Sequence, residues 1–106
     1  MFDLTAILAD LQGFQWDAGN SSKSLHRHEV TRAEAEEAFF NRPVLVISDV
    51  SHSMRERRLA LHGVTNAERA LTVTFTIRGT LVRVISARDM SRKERRAYEK
   101  EIHESP

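Results

Sequence analysis

Basic side chains that can bind anions are concentrated near the C-terminal end of the chain. The segment from Arg78 to Arg96 holds seven lysines and arginines against two acids, a local charge of +5, whereas the net charge of the 106-residue chain is only +1. Two of these arginines, Arg83 and Arg88, lie in a run of mostly apolar residues that is typical of a strand. Guanidinium groups bind phosphate oxygens through paired hydrogen bonds and keep their charge. The asymmetry therefore indicates an anionic partner, and a nucleic-acid backbone fits best.

Strands must position these arginines, and the second half of the chain has the patterns that predict them. Residues 44–47 form a near-continuous apolar run, residues 57–64 read as a half-buried strand, and residues 71–77 alternate between apolar side chains and threonines. Alternation with a period of two is typical of antiparallel strands with one face in the core. We therefore predict an antiparallel meander that ends with the strand carrying Arg83.

A hairpin turn at Arg78-Gly79 is predicted between the last two strands, because glycine tolerates a positive φ angle. In this register Thr74 faces Arg83, so the arginine shares a polar face with the threonines. The other face of the hairpin should be covered by helices, because it carries Leu71, Val73, Phe75, Val82 and Val84. A slip of one residue would reverse this assignment.

Helices are predicted on both sides of the strands. Residues 4–11 have leucine and isoleucine at helical spacing, and a second helix is expected over residues 20–28. Capping-box patterns at residues 31–34 and 91–94 predict a helix that ends near Asn41 and a C-terminal helix. The expected fold class is α+β, with N-terminal helices, an antiparallel β-meander sheet and a C-terminal helix.

Composition limits the class of protein. A length of 106 residues predicts one domain, and the lack of cysteine excludes disulfides and thiolate chemistry. The apolar runs are far shorter than the roughly 18 residues of a membrane span, and the first residues do not resemble an export signal. We expect a cytoplasmic protein with no metal and no other cofactor, because the histidines at positions 26 and 28 diverge on a helix.

A series of short motifs in a fixed order covers most of the chain. They include Phe14-Gln15-Trp16-Asp17, His28-Glu29-Val30, Glu34-Ala35, Glu56-Arg57, Arg83-Val84-Ile85-Ser86-Ala87-Arg88, and Glu94 with Tyr98. In this order they resemble the BrnT toxins of bacterial type II toxin–antitoxin systems. The resemblance spans residues 14–101 as a BrnT-like core, leaves residues 1–13 as an N-terminal helical extension, and implies a RelE-like ribonuclease fold. One departure is Glu29, where the family usually has glycine, so either no left-handed residue is needed there or the backbone is strained.

The resemblance implies RNA cleavage, and metal-free cleavage needs a base, cations at the phosphate and an acid. We assign Arg57, Arg83 and Arg88 to the scissile phosphate, Glu56 or His52 to the base, and Tyr98 to the acid or to stacking on a base. Further RNA contacts are expected from Lys23, Arg27, His28, Arg92 and Arg95.

The function implied by the resemblance is that of a metal-independent endoribonuclease toxin that inhibits translation and growth. Its implied partners are the RNA substrate and a BrnA-like ribbon-helix-helix antitoxin in a 2:2 complex, with operator DNA bound only through the antitoxin. An alternative is a catalytically inactive module that binds RNA or DNA, or a corepressor of its own operon. A purely structural interaction domain would instead require acids such as Glu56, Glu94 and Asp89 to neutralise Arg83 and Arg88.

Overall fold

A computed structural model describes residues 11–17, 19–20, 28–41, 43–47 and 58–104. The elements in this part of the chain are β1 (Gly13–Phe14), α1 (Arg32–Phe40), β2 (Leu45–Ile47), β3 (Leu59–Val64), β4 (Ala70–Arg78), β5 (Leu81–Asp89) and α2 (Arg92–Glu104). They form an α+β fold, as predicted. Neither described helix is long and apolar enough to cross a membrane.

The five strands form one sheet in the order β1-β5-β4-β3-β2. Strands β2 to β5 pair antiparallel with their neighbours, which confirms the predicted meander. Strand β1 instead pairs with β5 in parallel, with Gly13 opposite Leu81. The sheet is therefore mixed and not purely antiparallel. No local turn signals this pairing, because β1 has only two residues and its partner lies far along the chain.

The prediction of N-terminal helices needs correction. Helix α1 follows β1 in the chain and α2 ends it, so one described helix is central and the other is C-terminal. Residues 12–15, which precede α1, are instead bonded to β5 and the turn before it. The helices predicted over residues 4–11 and 20–28 fall largely outside the described residues, and His28 lies in a turn.

Both predicted capping boxes are present, and they define where the helices begin. The Thr31 hydroxyl accepts the Glu34 N–H at 3.0 Å, and the Glu34 carboxylate accepts the Thr31 N–H at 3.0 Å. Ser91 and Glu94 make the same reciprocal bonds at 3.1 and 2.8 Å. Each box gives hydrogen-bond acceptors to two backbone N–H groups that would otherwise have none at the start of the helix.

The core lies between α1 and one face of the sheet, which we call the apolar face. The predicted residues Leu71, Val73, Phe75, Val82 and Val84 are all buried there, as are Ala35, Ala38 and Phe39 from α1. The rings of Phe39 and Phe75 meet edge to face with centroids 5.0 Å apart. Helix and sheet approach so closely that a Cβ atom on Gly63 would lie 2.2 Å from the Ala38 carbonyl oxygen, so only glycine fits.

The hairpin between β4 and β5 differs from the predicted register by two residues. Its loop is Gly79-Thr80, with Gly79 at a φ of 63°, and Thr76 faces Arg83 where Thr74 was expected. Side chains alternate with a period of two, so a shift of two residues leaves the side chains between the turn and the Phe75–Val84 pair on their predicted faces. Arg83 accordingly lies on the face that carries the threonines.

A β-bulge in β5 was not predicted. Val84 pairs with Phe75 and Ser86 pairs with Thr74, so Ile85 is an extra residue between them. Arg83 and Arg88 are five residues apart and would lie on opposite faces of a regular strand. The extra residue brings both onto the same face.

Candidate functional site

The face of the sheet opposite α1 carries the residues that could do chemistry, and we call it the polar face. Its members on β3, β4 and β5 include His62, Thr72, Thr74, Thr76, Arg83, Ser86 and Arg88, as their pairing shows. His62 pairs with Thr72, which in turn pairs with Arg88. Helix α2 lies over this end of the polar face, because its Glu94 and Tyr98 approach Arg88 and His62.

Arg88 is fixed by a bidentate ion pair with Glu94. Its two terminal nitrogens, Nη1 and Nη2, donate to the two carboxylate oxygens of Glu94 at 2.7 and 2.9 Å, and Nη1 also donates to the Asp89 carbonyl at 3.1 Å. The Arg88 guanidinium is the largest influence that lowers the pKa of Glu94 to about 2, and the pair raises the pKa of Arg88. The Arg88 side chain remains 42% exposed, so it is held in place and still reachable from solvent.

Arg83 is held by a different acid at the other end of the polar face. It donates to the two Asp17 carboxylate oxygens at 2.8 and 3.1 Å, and to the Gln15 side-chain oxygen at 3.3 Å. This guanidinium lowers the pKa of Asp17. Asn20 anchors the loop that carries Asp17, because its amide group donates to the Gln15 and Val84 carbonyls. Only 14% of the Arg83 side chain is exposed.

The two arginines lie far enough apart to contact different groups. Their partners on β4 are Thr76 and Thr72, four residues apart. At the rise of a strand this separates the two Cα atoms by roughly 13 Å. The arginine side chains also point to acids on different elements, Asp17 before α1 and Glu94 on α2.

A buried histidine that was not predicted as a site residue lies beside the Arg88 pair. The Nε2 atom of His62 is 3.7 Å from a Glu94 oxygen and forms no hydrogen bond with any described residue. His62 is 5% exposed, and burial lowers its pKa, so the neutral form is favoured. Its sequence signal was weak, because a histidine within an apolar strand reads equally well as a core residue.

Tyr98 is buried between α2 and the sheet. Its hydroxyl donates to the Pro43 carbonyl, and its ring lies edge to face with His62 at a centroid distance of 6.3 Å. Burial raises the pKa of this phenol. In this arrangement Tyr98 joins α2 to the residues before β2 and presents little surface to a ligand.

The remaining predicted site residues divide into two groups. The first group, His28, Arg92 and Arg95, lies within the described residues. Arg92 and Arg95 are exposed on α2, and Arg95 pairs with Glu99 at 3.2 Å. His28 lies in the turn before α1. Lys23, Arg27, His52, Glu56 and Arg57 lie outside the described residues.

Arg69 makes more hydrogen bonds to identified partners than Arg83 or Arg88, and no pattern in the sequence marks it as important. It donates to Asp89 at 2.7 and 3.1 Å, to Glu34 at 3.3 and 3.4 Å, and to the carbonyls of His28 and Glu29. Glu29 has a φ of 55°, so this position does adopt the left-handed conformation that favours glycine. Arg69 holds that strained turn against β5, and its role is structural.

The fold and the site define a small α+β protein with two carboxylate-bound arginines on one face of its sheet. The family model described as the ribonuclease toxin BrnT of type II toxin–antitoxin systems matches residues 16–94, which is most of the chain. The chain therefore belongs to the BrnT family of ribonuclease toxins. Membership implies an RNA substrate and a protein antitoxin. No curated protein matches the chain significantly.

Proposed function

We propose that this protein is a metal-independent endoribonuclease toxin with a RelE-like fold. The observation that carries the proposal is the β5 bulge, which presents Arg83 and Arg88 on one face of the sheet in a member of a ribonuclease family. The meander of β2 to β5 supports the RelE-like assignment. In the proposed reaction a base removes the proton of a ribose 2′-hydroxyl, and the 2′-oxygen attacks the adjacent phosphorus. The bond to the 5′-oxygen then breaks, that oxygen takes up a proton, and a cyclic phosphate remains.

Arg88 is the residue we assign to the scissile phosphate. Glu94 occupies the end of the guanidinium formed by Nη1 and Nη2. The side edge, formed by Nε–H and the second Nη2–H, has no hydrogen-bond partner among the described residues. Guanidinium groups bind phosphate through such an edge with two parallel bonds. Glu94 therefore orients Arg88 for the substrate without having to leave.

The other proposed roles follow from this assignment. Arg83 lies too far from Arg88 to share one phosphate easily, and we assign it to a neighbouring phosphate of the same RNA strand. Arg57, with Glu56 or His52 as the base, remains proposed for the chemical step. Tyr98 is proposed to hold α2 over the polar face, because its hydroxyl is bonded to the Pro43 carbonyl.

A second candidate function is a catalytically inactive module that binds nucleic acid, or a corepressor. The observation that favours it is the pairing of both Arg83 and Arg88 with carboxylates. A module that binds nucleic acid would use the open edge of Arg88 for phosphate as the enzyme would, so cleavage is what distinguishes the two functions.

Cleavage of RNA in the presence of EDTA separates these functions. The purified protein should cut single-stranded RNA with the chelator present and leave cyclic phosphate ends. Arg88→Lys keeps the charge and removes the side edge, so cleavage should fall by about 100-fold, the usual loss when one preorganised donor is removed.

Arg78→Gln is the matched control, because Arg78 is exposed at the hairpin end of β4, away from Arg88. This variant should cleave as fast as the wild type. Loss of cleavage on chelation would refute the metal-free mechanism, and full activity of Arg88→Lys would refute the assignment of Arg88.

The antitoxin is proposed to be a BrnA-like ribbon-helix-helix protein that covers Arg83 and Arg88 in a 2:2 complex and alone contacts operator DNA. Ribbon-helix-helix proteins are dimers, so each complex would hold two toxins. The co-expressed complex should have the mass of a 2:2 assembly and no ribonuclease activity. A complex that leaves Arg83 and Arg88 exposed would contradict this mode of inhibition.

A further inference from the structure

The outer surface of α2 carries a row of cations. Its members, which we call the basic row, are Arg92, Lys93, Arg96 and Lys100. At about 100° per residue they fall within one sector of the helix, roughly 100° wide. Glu94 and Tyr98 lie on the opposite side, where they contact the sheet. All four members of the row are exposed.

One acid, Glu99, lies beside the basic row on the helix, three residues from Arg96. Its carboxylate pairs with Arg95, which is not a member of the row. No member of the row forms an ion pair with a described residue. The row therefore presents four positive charges to solvent.

The positions of these cations destabilise the helix that carries them. Arg92 and Lys93 lie in the first turn of α2, where the helix dipole favours negative side chains. Arg96 lies four residues from both Arg92 and Lys100, and like charges at this spacing repel each other. A bound anion would neutralise this repulsion, which gives a reason for four cations at these positions.

We propose that the basic row binds the RNA backbone beside the phosphate held by Arg88. This inference rests on the proposed ribonuclease function, and it adds a surface that extends past the family match, which ends at residue 94. The row begins four residues after Arg88 and runs about 12 Å along α2, at 1.5 Å per residue. An RNA strand bound at Arg88 would pass over the N-terminal end of α2 to reach the row on the outer surface of the helix.

RNA fits the basic row better than a protein partner does. Protein interfaces depend on buried aromatic or apolar anchors. Among the described residues the only exposed large apolar side chain is Phe40, at 69%, and it lies on α1. Cations without such anchors suit the repeating charge of a phosphate backbone, which they bind without regard to base sequence.

The test uses a short single-stranded RNA with every 2′-hydroxyl methylated, which the proposed mechanism cannot cleave. Its affinity is measured at several salt concentrations for the wild type, Arg96→Gln and Lys100→Gln. Each substitution should weaken binding about threefold to tenfold and reduce the steepness of the salt dependence by about 0.7 for each lost phosphate contact. Each should also leave the melting temperature unchanged or raise it, because a repulsive charge has been removed.

Arg78→Gln is again the matched control and should retain both the affinity and the salt dependence. Unchanged RNA binding by Arg96→Gln and Lys100→Gln would overturn the inference, and so would an equal loss in the control. Variants that lose antitoxin binding and keep RNA binding would identify the row as a protein-docking surface. A wild type that binds this RNA through the row and cleaves no RNA would refute the ribonuclease proposal alone, whereas cleavage without any contribution from the row would refute only the present inference.

Discussion

The face of the sheet under α1 is closed by apolar side chains, whereas the face that carries Arg83 and Arg88 is held together by hydrogen bonds and ion pairs. On the apolar face, Phe75 and Val84 are fully buried and contact other apolar groups. On the polar face, Arg88 and Glu94 are fixed by charge and by the cap of α2. The apolar face therefore stabilises the fold, and the polar face holds guanidinium groups in fixed positions.

The two faces should also respond differently to pH. Apolar burial does not depend on protonation, so the apolar face should contribute equally in acid and at neutral pH. The polar face depends on ionised carboxylates, whose pKa values lie below their ordinary range. Substitutions on the two faces should thus differ in kind as well as in size.

The largest effect is expected from Phe75→Ala on the apolar face. This substitution should reduce the free energy of unfolding by about 3 to 5 kcal/mol, because it removes a buried aromatic ring and leaves a cavity. Urea unfolding followed by circular dichroism measures the change. A loss below about 1 kcal/mol would mean that the apolar face is not the main source of stability.

A smaller and pH-dependent effect is expected from Glu94→Gln on the polar face. A pKa of about 2, compared with an ordinary value of 4.5, corresponds to roughly 3 kcal/mol of stability when the carboxylate is ionised. Glu94→Gln should therefore cost roughly 2 to 3 kcal/mol at pH 7. Glu99→Gln, which breaks an exposed pair on the same helix, should cost less than about 0.5 kcal/mol.

The contribution of Glu94 to the free energy of unfolding should depend on pH. Glu94 has a lowered pKa in the folded state, so its contribution is complete above pH 4.5 and is lost as the pH falls toward 2. His62 also has a pKa below its ordinary value of 6.5, so stability should begin to fall below that pH. Glu94→Gln should flatten the steep part of the profile below pH 4.5. Some slope should remain, because Asp17, Glu34 and Asp89 also have lowered pKa values. A variant with the wild-type profile would show that Glu94 is not the main acid-sensitive group.

Local signals in the sequence predicted the helix starts and the faces of the strands. The two capping boxes lie within four residues each, so the groups that bond to each other are neighbours in the chain. Alternation of Val73 and Phe75 with threonines identified the core face without knowledge of the partner strand. These features depend on short-range periodicity, which a sequence shows directly.

Long-range contacts were the part that the sequence did not show. The ion pair between Asp17 and Arg83 depends on β1 lying beside β5, and no local pattern indicates that pairing. The bonds of Arg69 to Glu34 and Asp89 join three separate segments. Of the acids named for the structural alternative, Glu94 binds Arg88 and the Asp89 carboxylate binds Arg69. Glu56 lies outside the described residues.

The bulge at Ile85 limits how this site can be transferred to another protein. Grafting the segment from Arg83 to Arg88 onto a regular strand would keep the sequence of the motif and lose its geometry. One of the two guanidinium groups would then point into the core of the new host. Deleting Ile85 from the present chain would do the same. The five-residue spacing thus places both arginines on one face only in a strand that contains the bulge.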